Sequence, residues 1–130
     1  MHEKVDPYYS KGYLMCWCTS IKVEWSRFLA NYFAKLNPNS QYRLLDVGCG
    51  PSIASIISAT RVCSHITMAD FLQSNRDEVQ LFVDSDENAF EWKHYFDFVL
   101  QFEPDNTDSG IMQRTRNAIK VLETNFNVWR

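Results

Sequence analysis

The sequence predicts an α/β protein built on a parallel sheet, and three observations carry that reading. Two short apolar runs, Tyr42 to Val47 and 65–69, have the length and composition of strands. Stretches with helical spacing lie before, between and after them. The first run passes directly into a turn, Gly48-Cys49-Gly50-Pro51. Strands that alternate with helices pair in parallel, because each helix carries the chain back to the start of the next strand.

Each element has its own warrant. Residues 5–19 hold Tyr8, Tyr9, Tyr13 and Trp17 around Pro7 and Gly12, without a clear period, and read as an aromatic arm or short helix. Residues 20–36 place Ile21, Trp25, Phe28, Leu29, Tyr32, Phe33 and Leu36 at i, i+3, i+4 spacing, which predicts an amphipathic helix. Asn37-Pro38-Asn39-Ser40 stops it. After the first strand and its turn, residues 52–59 predict a helix, with Pro51 suited to its first turn because proline lacks only a donor that would be orphaned there. The second strand ends at Asp70, residues 74–84 predict a helix, and 87–94 a helix or turn. Residues 95–102 alternate Phe96, Phe98, Leu100 and Phe102 at period two, which predicts a strand. A polar loop over 104–110, a helix over 111–120 and a last strand over 121–129 complete the expectation. Residues 1–40 thus form an arm and helix, and residues 41–130 the sheet domain.

Composition bounds the function. The 130 residues suit one domain, with 45% hydrophobic and 22% charged, an ordinary globular balance. A net charge of −3 without a Lys/Arg block gives no nucleic-acid footprint. No run approaches ~18 consecutive apolar residues, so no membrane span is expected. Cys16, Cys18, Cys49 and Cys63 include no second close pair and no histidine cluster, so no metal is expected; reduced thiols in a cytoplasmic protein are the simplest reading. His2, His65 and His94 are scattered and read as surface or core residues.

The chemistry concentrates between Arg43 and Asn75. Glycines at a strand end let the backbone turn tightly and let a ligand approach without meeting a Cβ atom. A helix starting at Pro51 would present unpaired amides to an anionic group. Asp70 lies 24 positions after Asp46, at the end of the next strand, where an acid accepts hydrogen bonds from both hydroxyls of an unphosphorylated ribose. The third glycine of a dinucleotide fingerprint is replaced by Ile53. The form D-x-G-x-G-P instead points to S-adenosylmethionine, which has no pyrophosphate and offers a carboxylate.

The run 43–53, then 66–71, then Asn75-Arg76, then 89–92 resembles the nicotinamide, phenylethanolamine and indolethylamine N-methyltransferase family. The resemblance implies an incomplete Rossmann-like class I methyltransferase fold, with S-adenosylmethionine as donor and a small amine or pyridine-type nitrogen as acceptor. It also implies site roles. Gly48, Cys49 and Gly50 would meet the methionine portion, Asp70 and Asn75 the ribose, and Asp46 would orient the turn. Tyr8 and Tyr13, with Tyr9 competing for the first place, would close over cofactor and acceptor, since aromatic faces attract a sulfonium cation. No residue need act as a nucleophile, because the donor is already activated and alignment suffices. Ala54 stands where relatives carry a bulky aromatic, thinning one wall, and Asn125 or Asn127 stands where they carry the adenine-binding acid. Relatives are about twice as long, so the chain is expected to be the amino-terminal half, its last strand an exposed apolar edge prone to self-association. The alternative function is a non-catalytic cofactor-binding or interaction module.

Overall fold

The computed structural model describes Leu14 and residues 23–103 and 110–123. The first helix, α1 (Val23–Ala34), falls inside the expected 20–36 span. Its buried side is not the expected aromatic stripe. Ser26 and Ala30 are buried, while Trp25, Phe28 and Tyr32 face outward and Phe33 is half-buried against the core. Small residues let the helix lie close to the 3-10 turn Ser58–Arg61, and bulky rings at those positions would hold it off. Arg61 donates from its guanidinium to the Ala34 carbonyl at 3.0 Å, satisfying one of the orphan acceptors at the end of α1.

Strand β1 (Tyr42–Val47) occupies the span read from the sequence. The expected helix over 52–59 does not form. Its bonds run from Ile56 N to Ile53 O (3.1 Å), Ala59 N to Ile56 O (3.1 Å) and Thr60 N to Ile57 O (3.3 Å), an i to i+3 pattern of turns ending in the 3-10 segment Ser58–Arg61. Two local causes act together. The Ser52 hydroxyl accepts from Ala54 N at 3.1 Å, an alternative to a helical bond. The Thr60 hydroxyl donates to the Ile57 carbonyl at 2.6 Å, taking the acceptor that a helical bond from residue 61 would use.

Strand β2 (Cys63–Ala69) follows, then α2 (Gln73–Val83), both close to expectation. The segment predicted as a strand over 95–102 is α3 (Lys93–Leu100). Tyr95, Phe96 and Val99 are buried and Asp97 is exposed, a helical pattern within which the phenylalanine alternation is coincidental. Helix α4 (Ile111–Ala118) stops two residues before the expected 120. Strand β3 (Ile119–Val121) takes over at once, earlier than the 121–129 foreseen, and residues 124–130 lie outside the described set.

The sheet is three-stranded and parallel, in the order β1-β2-β3. Leu44, Ile66 and Ile119 align across it, as do Asp46, Met68 and Val121, and this face carries the core. Leu14, Ile53, Ile57, Val79, Phe96 and Val99 fill that core, with the Phe82 and Phe96 rings stacked at 5.8 Å. On the other face Leu45 is 60% and Val47 68% exposed. The last strand expected over 121–129 lies mostly outside the described residues, and among those described the exposed apolar edge is at β1. There Tyr42, Leu45 and Val47 stand in solvent, whereas β3 exposes only Lys120 fully.

Candidate functional site

The C-terminal ends of β1 and β2 lie side by side, and their loops meet. Val47 pairs with Ala69, and the Ala69 carbonyl accepts from both Gly48 N (2.7 Å) and Cys49 N (3.1 Å). Gly48 (φ +74°) and Gly50 (φ +63°) both adopt left-handed backbone, which explains glycine at each. A Cβ at either position would meet no atom within 4 Å. Open space, rather than packing, lies beside the turn, as a backbone that receives a ligand requires.

Asp70, 9% exposed, is the junction between the two loops. Its Oδ2 accepts from Gly50 N at 2.8 Å, and its Oδ1 accepts from Leu72 N at 2.9 Å and Asn75 Nδ2 at 3.0 Å. An ionised carboxylate offers roughly four lone-pair positions. Three are taken from within the protein, so one remains on the Oδ2 side for an incoming donor. The expectation that Asp70 would take both ribose hydroxyls is thus limited by geometry. A second hydroxyl would have to displace an internal donor or use another group.

The turn amides are spent likewise. Gly48 N, Cys49 N and Gly50 N all bond within the protein, and no α-helix begins at Pro51, so the expected helix terminus is absent there. The turn offers approach to a ligand more than it offers hydrogen-bond donors. Phe71, next to the acid, is 83% exposed and presents an aromatic face beside Asp70. A hollow of about 290 Å³ lies between α2 and the end of β3, lined by Gln73, Arg76, Asp77, Gln80, Val121 and Glu123.

The electrostatics disfavour thiol chemistry. Burial, and then the charges of Asp46 and Asp70, push the Cys49 thiol up to about 12, and its Sγ lies 3.2 Å from the Gly50 carbonyl. Burial also raises Asp46, the bond from the Ser55 hydroxyl (3.4 Å) lowers it, and neighbouring Asp70 raises it again. That hydroxyl bond ties Asp46 to Ser55 and not to the turn it was expected to orient. Among the described residues no group of three or more His, Cys, Asp or Glu could hold a metal ion.

The structure thus brings Gly48, Cys49, Gly50, Asp70 and Asn75 together. Ala54, expected to thin a wall of the cofactor site, is buried in the core. Tyr8, Tyr9, Tyr13, Asn125 and Asn127 lie outside the described residues, as do Cys16 and Cys18. Arg76 carries no role in the sequence reading, yet its guanidinium sits against the acid loop. An arginine within an apolar-faced helix turn is the only signal the sequence carried for it.

A parallel sheet with an open glycine turn after one strand and a held acid after the next defines an α/β protein of the Rossmann-like kind. The family profile of the NNMT/PNMT/TEMT family matches residues 5–128, and the chain belongs to that family. Phenylethanolamine N-methyltransferase of Bos taurus is 38% identical over 77 residues, which are 59% of this chain and 27% of the bovine protein. The Mus musculus enzyme of the same name is 42% identical over 52 residues, 40% of this chain and 18% of that protein. Indolethylamine N-methyltransferase of Oryctolagus cuniculus is 30% identical over 60 residues, 46% of this chain and 23% of that protein. The chain spans about a quarter of the relatives it matches.

Proposed function

We propose that this chain carries the donor side of an S-adenosylmethionine-dependent N-methyltransferase acting on a small amine or pyridine-type nitrogen. The observation that carries the reading is the Asp70 junction. One carboxylate ties the Gly50 amide to the acid loop while keeping a free lone-pair position beside an unobstructed glycine turn. Asp70 and Asn75 would hold the ribose, and Gly48, Cys49 and Gly50 would border the methionine portion. Tyr8 and Tyr13 would shield the sulfonium. The donor supplies an activated methyl group, so the protein's own task is to bind, orient and exclude water. The high thiol pKa keeps Cys49 neutral, consistent with a contact role rather than attack on the methyl carbon.

Reduced Cys49 and Cys63 suit a cytoplasmic setting, and no helix among the described residues is long and apolar enough to cross a membrane. A second reading, a binding or interaction module without turnover, is favoured by the exposed Leu45 and Val47 on the edge strand β1, an edge fitted to self-association. Calorimetric titration with S-adenosylhomocysteine, followed by methyl transfer to a panel of amines and pyridines, separates the two. Turnover that vanishes in Asp70→Ala supports the enzyme, binding without turnover supports the module, and absence of binding refutes the cofactor claim in both readings.

A further inference from the structure

We infer that Arg76 is a positioning residue that sets the acid loop in its ligand-receiving shape. The guanidinium is only 4% exposed. Burying a cation is costly unless hydrogen bonds replace its water. Every bond Arg76 makes here goes to one short stretch. Its Nη1 donates to the Asp70 carbonyl at 2.6 Å and the Phe71 carbonyl at 3.0 Å, and its Nη2 to Gln73 Oε1 at 2.6 Å.

Helix stability does not explain this charge. Arg76 lies in the first turn of α2, where a cation opposes the helix dipole, and that turn has no acidic residue and no side-chain cap at Leu72. The residue acts instead on residues 70–73, reaching back along the helix as side chains there must. By fixing the carbonyls of Asp70 and Phe71 it fixes the two peptide planes that follow the acid. That orientation aims Oδ1 at Leu72 N and Asn75 and Oδ2 at Gly50 N, leaving the remaining lone pair facing outward. Arg76 therefore tunes the ribose position without touching it, and ribose selectivity should depend on it.

This inference rests on the reading of Asp70 as the ribose acceptor, and the test separates the two. In the full chain, wild type is compared with Arg76→Met and Arg76→Lys. Three readouts are taken: affinity for S-adenosylhomocysteine and its 2′-deoxy analogue by calorimetry, amide exchange at Gly50 and Leu72, and urea midpoint. Loss of hydrogen bonds from a charged donor predicts that Arg76→Met binds S-adenosylhomocysteine ~10-fold to ~100-fold more weakly. The 2′-deoxy analogue should lose much less, so the ratio between the ligands collapses, and Arg76→Lys should recover part of it. Exchange at Gly50 and Leu72 should accelerate beyond what the global stability change accounts for. An unchanged ligand ratio, with Gly50 and Leu72 protected as in wild type once global stability is allowed for, overturns the inference. If wild type binds neither ligand, the ribose reading fails while the exchange data still decide whether Arg76 holds the loop. Should Arg76→Met not fold, Gln73→Ala removes the third acceptor of Arg76, together with an exposed bond to Asp77, and must shift the same amides in the same direction.

Discussion

Replacing Asp70 by asparagine keeps the shape of the side chain and removes its charge and half its acceptor capacity. In the native loop one oxygen takes Gly50 N and the other takes Leu72 N and Asn75 Nδ2. An amide can serve only one of these sides. With its oxygen towards Leu72 and Asn75, its NH₂ faces the Gly50 amide, donor against donor; flipped, it abandons two donors to keep one. The better orientation leaves one buried donor unsatisfied, at about 1–3 kcal/mol, and turns two charge-assisted bonds into neutral ones, adding about 1 kcal/mol. The total of about 2–4 kcal/mol is a large share of the roughly 5–15 kcal/mol that holds a small domain together. In urea, with a slope of about 1–3 kcal/mol/M, the midpoint should fall by about 1–2 M with the slope unchanged. Two-state unfolding followed by circular dichroism at pH 7 measures it. An unfolding free energy within about 0.5 kcal/mol of wild type would refute the claim that Asp70 ties the two loops together, leaving it a solvated acid that chances to stand near Gly50.

Three further outcomes follow from the same geometry. Gly50→Ala meets no steric obstacle but forces an L side chain to φ +63°, so it should cost only about 1–2 kcal/mol in stability. The added methyl stands in the open approach, so S-adenosylhomocysteine binding should fall further than stability does; equal losses in calorimetry and denaturation would count against a ligand at the turn. Asp46 is held above its ordinary 3.8 by burial first, and by Asp70 after the opposing Ser55 bond. A raised carboxylate costs the fold nothing below the unfolded value of 3.8, and an increasing amount as pH rises through the raised one. Asp46→Asn should therefore raise the urea midpoint at pH 7, with the gain shrinking as pH approaches about 3.8; a gain independent of pH would contradict this. Phe96→Ala should cost about 3–5 kcal/mol as a fully buried ring, and Phe98→Ala, half-buried on the helix, less than half of that. Similar costs would restore the strand expected over 95–102.

The contrast between 42–47 and 95–102 shows what made the fold legible. β1 is bounded by turn residues on both sides, so local chemistry alone defines it and the span read from the sequence is the span observed. Residues 95–102 satisfy period two and period 3.6 at once, because Tyr95, Phe96, Phe98 and Val99 supply apolar groups to either template. Only packing decides, and the stacking of Phe82 on Phe96 requires α3 to lie beside α2. The segment 52–59 failed for a different cause. Its composition suits a helix, but the Ser52 and Thr60 hydroxyls bond the local backbone and tighten it into turns, and neither effect has a periodic signature.

The site divides along the same line. Gly48, Gly50, Asp70 and Asn75 were readable because each is demanded by something local: a left-handed turn, a strand end, a fixed spacing. Which of their polar atoms remain for a ligand was not readable, because that depends on a census across the two loops. The Ala69 carbonyl consumes two turn amides and Asp70 consumes the third. A turn with the residues of an anion cradle thereby has its amides at 48–50 engaged and is left open as a space. Recognition at this end of the sheet must then come chiefly from the remaining Asp70 lone pair and from shape. That places the burden of affinity on whatever holds Asp70 in register, and in this chain the group in that position is the buried guanidinium of Arg76.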